Sequence, residues 1–180
     1  IKKFADILSV VTTPFSLVSL PRKIKIALSN LDVLKRAGKA AIKIKNPCEI
    51  SYFSTTPYRF GDETKAVKYA VIPSASNKLS TPDTTTDDLL RVNFATTVRE
   101  KPVEFDFCIQ FQTDPGKMPI EDPTVTWDSP FIKLATIKIP TQICDTAERH
   151  KFGDDISFNI WHCLAEHRPL GSFNRVRAHI

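Results

Sequence analysis

The stretch EHRPLGSFNRVRAHI, residues 166 to 180, concentrates groups able to hold an anion or handle a proton: Arg168, Arg175 and Arg177, with His167 and His179. Pro169, Leu170, Gly171 and Phe173 are interleaved with them, so this is not a solvated basic tail but a segment that grips something. His162 and Cys163 lie just upstream. Four residues between His162 and His167, with one adjacent thiol, match no standard zinc site, and structural roles fit them better. Cys48, Cys108, Cys144 and Cys163 are spaced 60, 36 and 19 apart, without a CxxC pair or the dense framework of a secreted scaffold. That usage points to a reducing, intracellular compartment.

A chain of 180 residues, 42% hydrophobic and 25% charged, has the composition of one globular domain and lies far from the disordered regime. Thirteen prolines against five glycines predict many extended and loop segments. Charge is uneven: residues 1 to 50 hold ten Lys/Arg against three Asp/Glu, whereas residues 51 to 180 hold fifteen against seventeen. Basic residues 22 to 45 suit assembly with an acidic partner; the plainer alternative is the solvated face of a lysine-rich helix. Nucleic acid is disfavoured as that partner, because the basic span lacks interleaved aromatics and any recognised module. ILSVVTTPFSLVSL, residues 7 to 20, is uncharged but interrupted by Pro14 and too short for a transmembrane segment. No signal peptide is expected, and a first residue of Ile1 suggests a processed chain or an interior piece.

Periodicity supplies the elements that must position these groups. Ile24, Ala27, Leu28, Leu31 and Leu34 recur at helical spacing within residues 21 to 38, behind Pro21 and ahead of Gly38, and residues 3 to 10 suit a shorter helix. PYRFGDETKAVKYAVIP, residues 57 to 73, reads as strand, Gly-Asp turn, strand. A polar loop then leads into a helix over about 86 to 100, with Asp87 and Asp88 near its positive end. In VEFDFCIQFQ, residues 103 to 112, Val103, Phe105, Phe107, Ile109 and Phe111 alternate with polar neighbours, predicting a strand with those residues facing a core. A Pro-rich excursion over 114 to 130 precedes a further strand, FIKLATIKI, residues 131 to 139. The mixed order and hairpin-like spacing predict an α+β fold built on an antiparallel sheet.

SYFSTTPYRFGDETKAVKYAVIP, CIQFQ, EDPTVTWDSPFIKLATIKIPTQ and ISFNIWHCLAEHRPLGSFNRVRAHI resemble, in that order, the later part of the catalase-like heme proteins. The likeness is nearest to the smaller catalase-related branch that includes allene oxide synthases, and it covers residues 50 to 180. The most specific pieces are the acidic-Thr-Trp segment ending at Trp127 and HRPLGSFNR with Arg177 two residues beyond it. Ile160, where this branch commonly has proline, departs from the pattern.

The resemblance implies part of an eight-stranded antiparallel β-barrel with flanking helices and a buried heme. Residues 50 to 180 would form the later half of the barrel plus the heme-ligand helix, and residues 1 to 49 a basic, partly helical wrapping segment. A half barrel needs a partner, either the remainder of its own barrel or another protein chain. The family's heme ligand lies in an Arg-x-x-x-Tyr pattern, of which Arg177-Ala178-His179-Ile180 supplies the first four positions; the tyrosine would fall at the next one. Arg177 would then hold the ligating phenolate deprotonated. Phe158 and Phe173 fall near family positions that pack on the porphyrin, with ordinary core packing as the alternative. None of the four histidines stands in the context of the family's distal base, so no catalytic residue is expected within this chain. The function implied is the C-terminal portion of a heme-binding oxidoreductase acting on hydrogen peroxide or organic hydroperoxides, inactive as this chain alone. The rival is a non-catalytic structural or interaction subunit of the same fold without heme.

Overall fold

A computed structural model describes residues 44 to 77 and 86 to 178. The helices expected over 3 to 10 and 21 to 38 lie outside the described residues, as do all of the basic span except Ile44 and Lys45, and His179 and Ile180. The chain divides into two units, 1 to 43 and 44 to 180, and the second is described here.

The fold is α+β on a five-stranded antiparallel sheet. The strands are β1 (Tyr52–Phe53), β2 (Tyr58–Phe60), β3 (Asp62–Pro73), β4 (Val103–Phe111) and β5 (Phe131–Ile139). The order is β1-β3-β4-β5, with β2 also paired to the long β3. The β2–β3 turn forms where the Gly-Asp pair requires it. Gly61 takes φ +73°, open to glycine at little cost, and Asp62 Oδ1 accepts from the Thr64 amide and hydroxyl at 3.1 and 2.7 Å. The helices are α1 (Leu89–Glu100), α2 (Ala147–Asp155) and α3 (Ser172–Arg177). At the start of α1, Asp88 makes no capping bond and instead pairs with Arg91 at 2.8 Å.

The alternation of β4 is borne out in part. Val103, Phe105 and Ile109 are buried, whereas Phe107 and Phe111 are half-buried and Cys108 and Gln110 on the opposite face are buried too. Both faces of β4 are therefore covered. On the first, Val103 and Phe105 join Cys48 and Val98, with Val71, Phe94 and Ile139 packed around them, so α1 and the Pro47–Glu49 turn close that side. On the second, the excursion through 112 to 130 folds back so that Met118 and Trp127 meet Ala66, flanked by Ile120 and Leu170. Gln110 fixes this loop by donating to the carbonyls of Trp127 and Ser129 at 3.1 and 2.7 Å, which satisfies a buried amide. The Lys68 ammonium lies 4.6 Å above the Trp127 ring.

β5 is the last strand of the sheet, and nearly all of it is exposed. Its pairing jumps from Phe107↔Ala135 to Cys108↔Lys133, which leaves Leu134 as the extra residue of a bulge. The bulge has a consequence for the faces. Without it Lys133 and Lys138, an odd number apart, would point to opposite sides; with it both share the side of Glu104 and Asp106. The ion pairs Lys133–Asp106 at 2.6 Å and Lys138–Glu104 at 3.1 Å result. Ile132, Ile137 and Ile139 meanwhile line up with Ile109, Phe105 and Val103.

Phe53 and Phe131 stand on strands separated by two others, about 14 Å apart in a flat sheet. Their ring centroids are nevertheless 5.8 Å apart, so the sheet curls toward that face. It does not close: the five described strands form an open antiparallel sheet. Among the described residues no helix is long and apolar enough to cross a membrane.

Candidate functional site

The closing segment is held by backbone first. Residues 166 to 170 run alongside β2, where the amides of Arg59 and Gly61 donate to the carbonyls of Arg168 and Glu166 at 2.9 and 3.0 Å, and the Leu170 amide donates to Pro57 O at 2.9 Å. Gly171 then turns the chain into α3 with φ +85°. A Cβ at this position would sit 2.7 Å from the carbonyl oxygen of Ile120, so both the dihedral and the space demand glycine.

Two side chains dock α3. Asn174 is fully buried; its amide nitrogen donates to the carbonyls of Leu170 at 2.8 Å and Pro57 at 3.2 Å, and its Oδ1 accepts from the Thr56 hydroxyl at 3.1 Å. Glu121 grips the exposed side: Arg175 donates to it bidentately at 3.1 and 3.0 Å and the Ser172 amide at 2.8 Å. The Arg175 guanidinium, followed by the Ser172 amide, holds the Glu121 carboxyl below the usual carboxylate range. Trp161 adds a third tie through its indole N–H, which donates to Asn174 O at 3.0 Å.

Arg177 is the last residue of α3 and is exposed, with Nη1 donating to Asn174 Oδ1 at 3.3 Å. No acidic side chain among the described residues forms an ion pair with it. Phe173, one helical turn earlier, is 50% exposed, Val176 is 59% exposed, and Phe158 is 89% exposed. Neither Phe158 nor Phe173 belongs to a core cluster of the described residues. An exposed aromatic ring one turn from a guanidinium that has no acidic partner among the described residues suits a flat apolar ligand bearing an anion, or a covering protein surface.

The three described histidines do not converge. His150 contacts Asp145 at 2.6 Å in a network with Arg91 on α1, His162 is exposed, and His167 packs beside Phe60 with its buried Nδ1 lacking a hydrogen-bond partner. Among the described residues no cluster of three His, Cys, Asp or Glu could hold a metal ion. Sequence reasoning passed over Asn174, Glu121 and Thr56. Asn174 sits three residues before Arg177 on a helix, a spacing that could have flagged it, whereas Glu121 is 54 residues from Arg175 and carries no local signal.

The chain matches no protein-family model, and no curated protein matches it.

Proposed function

We propose that this chain is the C-terminal portion of a heme-binding, catalase-like oxidoreductase that acts on hydrogen peroxide or organic hydroperoxides in an intracellular compartment. The observation that carries this reading is Arg177 at the end of a firmly docked helix, exposed and without an acidic partner among the described residues, one turn beyond an exposed Phe173. In this proposal Phe158 and Phe173 pack against the macrocycle, and Arg177 keeps an adjacent phenolate ligand deprotonated by charge and hydrogen bonding. The heme, when bound, supplies the peroxide chemistry. The chain's own part is to present an apolar wall and a fixed cation, and the open, curled sheet is completed by the remainder of a barrel or by another protein chain. A second reading, a structural or interaction module of the same fold without heme, is favoured by one observation: the apolar, exposed edge strand β5.

The test compares three chains by hemin titration followed at the Soret band: residues 1 to 180, the same chain with a tyrosine added after Ile180, and the extended chain carrying Arg177→Leu. The unextended chain is expected to bind hemin weakly and to release no more oxygen from peroxide than hemin with albumin. The added tyrosine is expected to sharpen and shift the Soret band, and Arg177→Leu to reverse that change. Three indistinguishable spectra would overturn the proposal and leave the module reading in place.

A further inference from the structure

Helix α1 brings together two thiols that the sequence separates widely. Cys48 is fully buried in the turn Pro47–Glu49 and packs against Val98 of α1. That turn is pinned to the same helix by Asn46, which donates to Thr97 Oγ1 at 2.9 Å and accepts from the Cys48 amide at 3.0 Å, and by Asn93, which donates to Lys45 O at 2.8 Å. Cys144 reaches α1 from the other direction. The Gln142 amide donates to the carbonyl of Val98, the residue Cys48 packs on, at 3.0 Å, and Asp145 accepts from Arg91 at 3.1 Å. Cys144 therefore lies in a short span tied to α1 on both sides. Its proximity is also felt electrostatically: burial, then Glu49, then Cys144 push the Cys48 thiol above its ordinary range.

We propose that Cys144 and Cys48 form a peroxide-driven intramolecular disulfide that staples the segment after β5 to the Pro47–Glu49 turn. The exposures set the order of events. Cys144 is half-buried and meets the oxidant first; Cys48 has no exposed surface and acts as the resolving thiol. The Cys144 thiolate attacks one oxygen of hydrogen peroxide or of an organic hydroperoxide, the O–O bond breaks, and the departing hydroxide or alkoxide takes a proton, leaving a sulfenic acid. The Cys48 sulfur then attacks the Cys144 sulfur, the S–S bond forms as the S–O bond breaks, and the hydroxide leaves as water with the Cys48 proton. Two thiols are oxidised and one peroxide is reduced. No heme takes part, so this inference stands or falls separately from the function proposed above. The remaining cysteines are placed elsewhere: Cys108 is buried in β4, and Cys163 is exposed in the loop before Ala165–His167.

The experiment uses residues 1 to 180 carrying Cys163→Ser, so that the exposed thiol does not link molecules. Reduced protein is treated with stoichiometric hydrogen peroxide and digested without reductant for mass spectrometry. A Cys48–Cys144 peptide pair lighter by two hydrogens is expected in most molecules, reversible with dithiothreitol. Closing a loop of 96 residues should raise Tm by roughly 5–15 °C. Cys144→Ser, outside the core, should abolish the link and leave Cys48 reduced. In Cys48→Ala, dimedone should trap Cys144 as its sulfenic acid; Cys144→Ser keeps the test decisive if that core variant fails to fold. The proposal is overturned if Cys144 is over-oxidised while Cys48 stays free, if only intermolecular disulfides appear, or if the link forms only in urea-unfolded protein.

Discussion

Removing the Asn174 side chain is the sharpest test of how the closing segment is held. Asn174→Ala deletes two donated bonds and two accepted ones, but the neighbours are not equally stranded. Pro57 O keeps the Leu170 amide at 2.9 Å, and the Thr56 hydroxyl can fall back on Ser54 O at 3.3 Å. Leu170 O has no such replacement and is left unsatisfied, which costs about 1–3 kcal/mol. The bonds lost elsewhere and the small cavity bring the total to about 3 kcal/mol. Helix α3 should stay docked, because Glu121 and the Trp161 indole still hold it through Arg175, the Ser172 amide and Asn174 O. At about 2–4 °C per kcal/mol for a chain of this size, Tm should drop by roughly 6–12 °C. Urea denaturation gives the free energy, and hydrogen exchange should show faster opening confined to the last turn before β2's partner segment and to α3. A Thr56→Val, Asn174→Ala cycle should show coupling of about 1 kcal/mol. A loss below 1 kcal/mol with unchanged exchange in α3 would refute the reasoning, since it would mean that the buried amide contributes no net stabilisation.

Other outcomes follow from the same geometry. Gly171→Ala should cost about 2–4 kcal/mol, because a strained dihedral and a backbone clash act together, whereas Gly61→Ala, with φ +73° and open space, should cost only about 1 kcal/mol; equal losses in thermal melts would contradict this. The carboxyls of Asp62, Glu121, Asp122 and Asp145 are held below the usual range, chiefly by hydrogen bonds from Thr64, Arg175, Thr124 and His150 respectively. A depressed folded pKa contributes stability above the unfolded value of about 4 and loses it as pH falls through the folded value, so urea midpoints should be flat near neutrality and fall below about pH 4. Glu121→Gln should flatten that acid slope, and an unaltered slope would count against it. The β5 edge should make residues 1 to 180 self-associate in sedimentation velocity, and Ile137→Lys should reduce this; a strictly monomeric parent chain at all concentrations would refute it.

The legible parts of the fold were those whose signal is local. β4 and the Gly61 hairpin could be read because each hydrophobic period or turn residue specifies its own few neighbours. Phe107 and Phe111 are less buried than strict alternation predicts, because the neighbours on that face of the sheet are aromatic rings leaning together, such as Tyr69 stacked at 5.5 Å on Phe107, instead of a second closed layer. β5 shows the limit more clearly. FIKLATIKI was expected as a strand and is one, yet the sequence carries no mark of the bulge at Leu134 that decides which way its lysines and isoleucines point.

That bulge also bears on how the edge of the sheet is protected. Lysines on an edge strand ordinarily discourage further pairing by leaving charge in the path of an incoming strand. Here Lys133 and Lys138 are each drawn to a carboxylate of β4, so their charges are neutralised within the sheet while Ile132, Leu134 and Ile137 remain 46%, 48% and 40% exposed. Exposed ion pairs of this kind contribute little stability, so stabilisation of β5 does not explain them well. Their larger effect is on what the edge presents: exposed apolar side chains, with the deterrent charge removed. The same logic applies at the other end of the chain, where Arg175 is neutralised by Glu121 and Arg177, two residues on, has no acidic partner among the described residues. Of the two guanidiniums on α3, one is committed to holding the helix and the other is left available, and that division could be seen only once Glu121 had been brought to the helix from 54 residues away.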